Sequence, residues 1–188
     1  MKSELKAKFL QHILDKKKGD EGFTLIELLV VIIIIGILSA IALPSFLNQA
    51  NKAKQSEAKT YVGSMNRAQQ AYYLENNEFA DSTGFGKLGL GVATQTTNYK
   101  YTINGGGASS STVTNQAQTV VGTAPLKTYI GGVGVAIQAA TSEATTIAVL
   151  CEAVKARVNN GADGTAAATF TNGTPSCPNP GTDYSPVK

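Results

Sequence analysis

The chain has 188 residues, a formal net charge of +3 at pH 7 and 15% charged residues, a charged fraction below the roughly 25% typical of soluble domains. Its length allows one ordinary domain and an appendage. A charge this small provides no clustered basic patch, which argues against nucleic-acid binding through bulk charge and predicts no direct nucleic-acid site.

The first 22 residues form a polar, lysine-rich segment. They hold six lysines and four acidic residues, whereas the rest of the chain holds ten basic residues and nine acidic ones. Removing residues 1–22 would therefore leave a nearly neutral product. An almost wholly apolar stretch follows directly, so residues 1–22 are a candidate leader.

The sequence FTLIELLVVIIIIGILSAIAL occupies residues 23–43. At a helical rise of about 1.5 Å per residue, this stretch spans roughly the 30 Å hydrocarbon core of a bilayer. It predicts a transmembrane helix, and the lysines before it predict a cytoplasmic N-terminus and an exported C-terminal bulk. The alternative is a secretory signal peptide cleaved after the apolar run. Such a run usually has about 7–15 residues, and residues 39–42 fit the small-residue cleavage rule only loosely.

One carboxylate, Glu27, lies inside this apolar stretch. A charged side chain at the bilayer centre costs about 2.5–3.5 kcal/mol, and less near the interface, where Glu27 is expected. Two explanations stay open at this point. Glu27 reaches the lipid headgroups, or it meets a positive charge when the helix leaves the lipid.

The junction GFTLIE at residues 22–27, followed by the apolar run, resembles the prepilin peptidase site of type IV pilins and their pseudopilin relatives. Gly22, the aromatic Phe23 and Glu27 match the glycine, first mature residue and glutamate of that family. The resemblance covers about residues 16–75 and is diffuse beyond them. It implies that an inner-membrane aspartyl peptidase cleaves between Gly22 and Phe23 and methylates the new amine of Phe23.

The same resemblance implies an assembly role for Glu27. The new α-amine has a reference pKa near 8, so it is largely protonated at neutral pH and can pair with Glu27 of a neighbouring subunit. A subunit out of register would bury an unpaired charge, and the pair would therefore fix the register. Gly36 and Pro44 both disfavour helix, and the resemblance implies that the stretch between them loses helicity in the filament.

Location and partners also follow from the resemblance. It implies a single-pass inner-membrane protein before assembly and an extracellular filament afterwards. The implied partners are other copies of the chain, the prepilin peptidase and the pilus assembly machinery. The leader and the stretch TYIGGVGVAI…TTIAVLCEA further resemble their counterparts in cyanobacterial pilins.

Residues 44–80 predict an amphipathic continuation of the helix. Their apolar residues recur at a spacing of three to four. They are Leu47, Ala50, Ala58, Tyr61, Met65, Ala68 and Tyr72. The helix is expected to end near Leu74, where Asn76 and Asn77 follow.

Residues 81–188 predict an exported, β-rich domain. Alternating and β-branched runs predict strands at 99–104, 112–121 and 127–138, and a further strand from near Thr145 with a short helix after Cys151. The GGxG at 131–134 predicts a bulge, and the proline-rich remainder is expected to be irregular. The predicted fold class is α+β, with a long N-terminal helix packed on a small antiparallel sheet, and the pilin resemblance implies the same architecture.

The chain has two cysteines, Cys151 and Cys177. In an exported protein they predict one disulfide, worth on the order of 3 kcal/mol through loop entropy. In a cytosolic protein they would more often be unpaired or part of a metal site. The pilin resemblance implies a C-terminal disulfide loop at this position.

The sequence predicts a structural protein with no catalytic residue, no metal site and no cofactor. Its one histidine, His12, lies in the candidate leader, so the mature chain would lack a histidine base. The main hypothesis is a type IV pilus subunit that serves adhesion, twitching motility and DNA uptake. Two alternatives remain. A type II secretion pseudopilin shares the N-terminus but often carries a Ca²⁺ loop and lacks this disulfide, and a signal-anchored binding protein would keep its leader.

Overall fold

The computed structural model describes residues 8, 9, 11, 23–138 and 143–187. One helix, α1, runs Leu25–Asn76, and short 3-10 helices lie at Phe85–Leu88 and Arg157–Asn159. The strands are β1 Tyr99–Gly105, β2 Thr112–Thr119, β3 Tyr129–Gln138, β4 Glu143–Ala153, β5 Thr169–Thr171, β6 Thr174–Ser176 and β7 Tyr184–Pro186. The chain divides into two compact units, Met1–Leu47 and Asn48–Lys188.

The first unit consists, among the described residues, mainly of the N-terminal half of α1. By length and composition α1 is apolar enough to cross a membrane. The helix continues through Gly36 and Pro44. The predicted loss of helicity between them concerns the assembled filament, so it stays a prediction.

In the second unit the remainder of α1 packs on a sheet. Its buried residues include Ala58, Val62 and Met65, two of which the helical spacing predicted. The helix ends two residues later than expected, and Asn77 has a left-handed φ of 55°. That backbone conformation suits asparagine better than most residues, which explains why the helix ends here.

The sheet has five antiparallel strands in the order β1-β2-β3-β4-β7, and β5 pairs with β6 in a separate hairpin. This confirms the predicted α+β class. Tyr99, Tyr101 and Ile103 are buried, and Lys100 and Asn104 on the other face are exposed. Because side chains alternate along a strand, this face of β1 supplies large apolar groups to the core under α1.

The predicted bulge at residues 131–134 is wrong. β3 pairs in unbroken register with both neighbours through this stretch. Glycine is needed in this stretch because neighbouring segments approach the backbone of β3 closely. A Cβ on Gly131 would lie 2.2 Å from Asn66 Oδ1 of α1, and one on Gly132 would lie 2.6 Å from Ala168 Cβ. On one face β3 therefore touches α1, and on the other it touches the segment that leads into β5.

Two expectations for the C-terminal region need correction. The strand that contains Cys151 continues to Ala153, and the predicted short helix is a single 3-10 turn at Arg157–Asn159. β7 pairs with this strand through Cys151, Glu152 and Ala153, so these residues gain ladder hydrogen bonds that a helix would forfeit. The tail is also less irregular than predicted, because it contributes β5, β6 and β7.

Candidate processing and assembly site

The N-terminus of α1 is closed by a reciprocal hydrogen-bond pattern between Thr24 and Glu27. The Thr24 backbone N–H donates to Glu27 Oε2 over 2.9 Å, and the Thr24 hydroxyl donates to the same oxygen over 2.8 Å. The Glu27 N–H donates in turn to Thr24 Oγ1 over 3.3 Å. This is a capping box, which satisfies amide groups that the first turn of a helix otherwise leaves unpaired.

The capping box gives Glu27 a second role that the sequence analysis missed. Its carboxylate is held at the helix start by its own subunit, one turn from the junction where cleavage is expected. Phe23 precedes the box and is 85% exposed, while Gly22, the other half of the expected cleavage site, lies outside the described residues. The signal was present in the sequence, because Thr-x-x-Glu directly before an apolar run is the capping-box pattern.

The apolar side chains that follow the box are uncovered. Every residue from 23 to 49 is exposed, including Ile32, Ile35 and Leu38 at 56–60%. An apolar surface this long is far larger than the scattered exposed side chains of ordinary soluble proteins, and it marks a membrane or protein contact. Gly36 lies within it, and a Cβ there would meet nothing within 4 Å.

Cys151 and Cys177 form a disulfide, as predicted, with Cα atoms 5.7 Å apart. Cys151 lies in β4 and Cys177 directly follows β6, and both are buried. The bond links the five-stranded sheet to the β5–β6 hairpin. Gly173 in the hairpin turn approaches Val135 of β3 so closely that a Cβ there would overlap its carbonyl. The disulfide therefore fixes a segment that already packs on β3.

Buried amides join α1 to the rest of the second unit. Asn66 donates to the Val149 carbonyl over 2.9 Å and accepts from Asn115 over 2.9 Å. Gln69 both donates to and accepts from the backbone of Ala80, each over 2.9 Å. Polar residues at these helix positions were not expected to be buried. The partners of Asn66 lie in strands 49 and 83 residues along the chain, and the partner of Gln69 lies in the loop after the helix, 11 residues along. The helical spacing does not reveal either.

Two acidic residues of the second unit, Asp81 and Asp163, stabilise turns. The hydroxyl of Thr83 bonds Asp81 and that of Thr165 bonds Asp163, both over 2.7 Å, and these bonds lower the pKa of each carboxyl. Across the described residues, no group of three or more His, Cys, Asp or Glu side chains converges as a metal site would.

Comparison with known families identifies the chain. A model of the prokaryotic N-terminal methylation motif matches residues 17–43, which include the GFTLIE junction. A second model, type IV pilin-like G and H, matches residues 55–178. The chain belongs to the type IV pilin-like family. No solved structure matches it significantly.

Several curated proteins are similar to part of this pilin-like chain. The type IV major pilin PilA of Myxococcus xanthus is 47% identical over 62 residues, which is 33% of this chain and 28% of that protein. The type IV wide pilus major component PilA4 of Thermus thermophilus is 32% identical over 93 residues, 50% of this chain and 70% of that protein. The type II secretion system core protein G of Aeromonas hydrophila is 36% identical over 64 residues, 34% of this chain and 45% of that protein.

These similarities have a limited extent. The first three relatives are matched over 28%, 45% and 46% of their own lengths, so the chain spans between about a quarter and a half of them. The resemblance to cyanobacterial pilins is not tested by them and stays a prediction.

Proposed function

We propose that the chain is a prepilin whose mature form polymerises through its N-terminal helix into a type IV pilus. The observation that carries the proposal is the uncovered apolar surface of α1, with its one carboxylate held at the first helical turn. Burying that surface against other copies would release about 25 cal/mol for each Å² of apolar area removed from water. Among the residues that the structure describes, all of residues 23–49 are exposed.

In this proposal the chain first lies in the inner membrane with residues 1–22 in the cytoplasm. The prepilin peptidase cleaves after Gly22 and methylates the amine of Phe23. The assembly machinery then moves the helix from lipid into the filament core, where Glu27 pairs with the Phe23 amine of a neighbouring copy. The filament serves adhesion and twitching motility, with DNA uptake as a further role.

The capping box explains how Glu27 tolerates the membrane before assembly. Two hydrogen bonds from Thr24 reach one carboxylate oxygen, Oε2, so part of the cost of removing the group from water is offset inside the subunit. Nothing among the described residues bonds Oε1. That oxygen is available to the amine of a neighbour, and the charge is therefore both tolerated in the subunit and usable in the filament.

The chain acts as a structural subunit in this proposal, without catalysis. The names of the similar proteins support this, since PilA is a major pilin and others are fimbrial proteins. A secretion pseudopilin is the second candidate, supported by the similarity to the Aeromonas protein. The Cys151–Cys177 disulfide favours the pilus, because pseudopilins often lack it.

The test is intact mass and N-terminal peptide mapping of protein sheared from the cell surface. We expect a chain that begins at N-methylated Phe23 with both cysteines oxidised. A chain that retains residues 1–22 and occurs only in membranes would overturn the proposal and favour a signal-anchored protein. Correct processing without recovery in the sheared fraction would favour the pseudopilin.

The two leader glycines provide a matched control for the cleavage position. Gly22→Val should leave residues 1–22 attached, because it changes the residue on the N-terminal side of the expected cut. Gly19→Val changes the same residue type three positions away and should be processed normally. Equal processing of both variants would move the cleavage site away from Gly22.

A further inference from the structure

Some of the exposed apolar side chains in the second unit form a group. Of the six large ones found exposed among its described residues, three are Val120, Val121 and Val158, exposed by 43%, 58% and 53%. Backbone hydrogen bonds hold them together. The Ala124 N–H donates to the Val121 carbonyl over 3.1 Å, and the Val158 N–H donates to the Ala124 carbonyl over 3.0 Å.

Two lysines accompany these valines. Lys54 lines the same 260 Å³ cavity as Val121 and Leu126, and Lys52 lies on the same turn of α1. Both lysines are exposed, and the ion pair found among the described residues, Lys127–Glu152, involves neither. We call Lys52, Lys54, Val120, Val121 and Val158 together the basal surface.

The basal surface directly follows the apolar stretch along the chain. Lys52 and Lys54 come five and seven residues after Leu47, which is about 8–11 Å along a helix. Beyond Leu47, α1 carries two acidic residues: Glu57, three residues after Lys54, and Glu75, 21 residues after Lys54, or about 30 Å along the helix. Lys52, Lys54 and Lys59 outnumber Glu57 where the chain leaves the apolar stretch, so this end of α1 carries a net positive charge. Glu75 lies near the far end of the helix.

We propose that the basal surface docks the second unit onto an anionic bilayer while residues 23–43 span that bilayer. The proposal rests on the proposed function, since it concerns the subunit before assembly. Valine side chains would enter the boundary between headgroups and acyl chains, and the lysines would contact anionic headgroups. Docking limits the orientations of the second unit on the bilayer surface. It therefore presents the subunit to the assembly machinery in one orientation.

Charge favours lipid over a second copy as the occupant. Two basal surfaces facing each other would bring four lysines together, and like charges across an interface oppose association. A bilayer with anionic lipids has the complementary charge. It is also within reach, because the lysines follow the spanning stretch within about three helical turns.

The test exploits the absence of tryptophan from the chain. Val121→Trp places a unique fluorophore on the basal surface, and Leu74→Trp places one at a still more exposed apolar position near the far end of α1. Each full-length variant is reconstituted into vesicles of phosphatidylcholine with phosphatidylglycerol, in which the phosphatidylcholine is brominated. We expect the bromines to quench the fluorescence of the tryptophan at position 121 and to leave the fluorescence of the tryptophan at position 74 unchanged.

Substitutions of the two lysines provide the second part of the test. Lys52→Gln and Lys54→Gln are each expected to weaken docking about fivefold, seen as a loss of quenching of Val121→Trp. Omitting phosphatidylglycerol, or raising the salt to about 1 M, where the Debye length is about 3 Å, should have a similar effect. Lys87→Gln changes an exposed lysine near Asp81, in the segment beyond the far end of α1. It is the matched control and should leave the quenching unchanged.

Three outcomes would overturn the inference. Equal quenching of both tryptophans would mean that the second unit has no preferred orientation. No quenching at position 121 would exclude docking there. A shift in the emission of that tryptophan that grows with protein density, without quenching, would assign the basal surface to a second copy. Resistance of the reconstituted protein to carbonate extraction, measured in parallel, separates failure of this inference from failure of membrane insertion.

Discussion

The N-terminal and C-terminal parts of α1 have opposite surroundings, although they belong to one helix. Residues 25–47 are rich in isoleucine and leucine, and all of them are exposed. Farther along, less apolar residues such as Ala58, Met65 and Asn66 are buried. Hydrophobicity therefore does not predict burial along α1. The more polar part is stabilised by the sheet of its own chain, and in the proposed function the most apolar part is stabilised by lipid or by other copies.

This contrast implies that substitutions in the two parts of α1 should impair different properties of the protein, which different assays detect. Changes in residues 25–47 should alter insertion or assembly and leave the folding of the second unit intact. Changes at buried positions beyond Asn48 should reduce folding stability first. A variant of the first part that unfolds the second unit would contradict the division.

The largest effect is expected from Glu27→Gln. Glutamine preserves the capping box, because its side-chain oxygen can still accept from Thr24, but it removes the charge that the amine of a neighbouring copy would meet. Burying that amine unpaired costs about 3 kcal/mol or more per subunit. We expect inserted, cleaved protein and almost no filaments, measured as the ratio of sheared to membrane-bound protein.

Thr24→Ala is the matched control for that experiment. It removes the cap, at a cost of about 1 kcal/mol, but keeps the carboxylate of Glu27. If assembly depends on the charge, Thr24→Ala should retain most filaments. A larger loss for Thr24→Ala than for Glu27→Gln would instead make helix capping the main role of Glu27.

The second prediction compares one substitution in each part of α1. Met65 is fully buried, whereas Ile37 is 58% exposed. Met65→Ala should lower the free energy of unfolding of the second unit by about 2–5 kcal/mol, through lost burial and the cavity that remains. Ile37→Ala should change it by less than about 0.5 kcal/mol. Denaturant unfolding in detergent micelles, followed by near-UV circular dichroism, measures both. Similar losses for the two variants would contradict the contrast.

The third prediction concerns the disulfide, which lies entirely in the second unit. Replacing Cys151 and Cys177 by serine should lower the free energy of unfolding of that unit by about 3 kcal/mol, because the unfolded chain gains loop entropy. Membrane insertion should be unaffected. Thermal unfolding with and without reductant, combined with carbonate extraction, checks both statements. A loss of insertion would mean that the two units fold together.

The same contrast explains which features the sequence could predict. The apolar stretch, the GFTLIE junction and the helical spacing around Ala58 and Met65 are local patterns, and each has a direct physical meaning. Strands β1, β2 and β3 were predicted within about two residues of their observed ends, a normal uncertainty for element boundaries.

Features that depend on distant contacts were missed. The glycines of β3 looked like a bulge because nothing local shows that Asn66 lies against Gly131. The continuation of β4 past Cys151 depends on β7, which lies some 30 residues later. The capping box is different, since its pattern is local. It was missed because Glu27 was interpreted only through its expected partner in the filament.

The smallest effect at neutral pH, and the last test of the contrast, involves the tyrosines. All seven lie in the second unit, between Tyr61 and Tyr184, so high pH should act on that unit alone. Burial raises the pKa of Tyr129 to about 12, and it also raises the pKa values of Tyr99, Tyr101 and Tyr184. The unfolded chain releases these protons near pH 10. The contribution of the neutral phenols to folding stability is therefore fully present below about pH 10. It is lost as the pH rises through the pKa values that these phenols have in the folded state.

We expect the near-UV signal of the second unit to disappear above about pH 10, while residues 25–47 keep their helical far-UV signal in micelles. Tyr129→Phe should change stability little at pH 7, because it removes only a long hydrogen bond of 3.4 Å to Gln55. It should make the decline of the free energy of unfolding at high pH shallower, because the raised pKa of the Tyr129 phenol no longer contributes. Tyrosinate absorbance and circular dichroism, recorded together, measure this. If both signals fell in one transition, the apolar part of α1 would depend on the second unit for its helicity, and the independence of the two parts would be wrong.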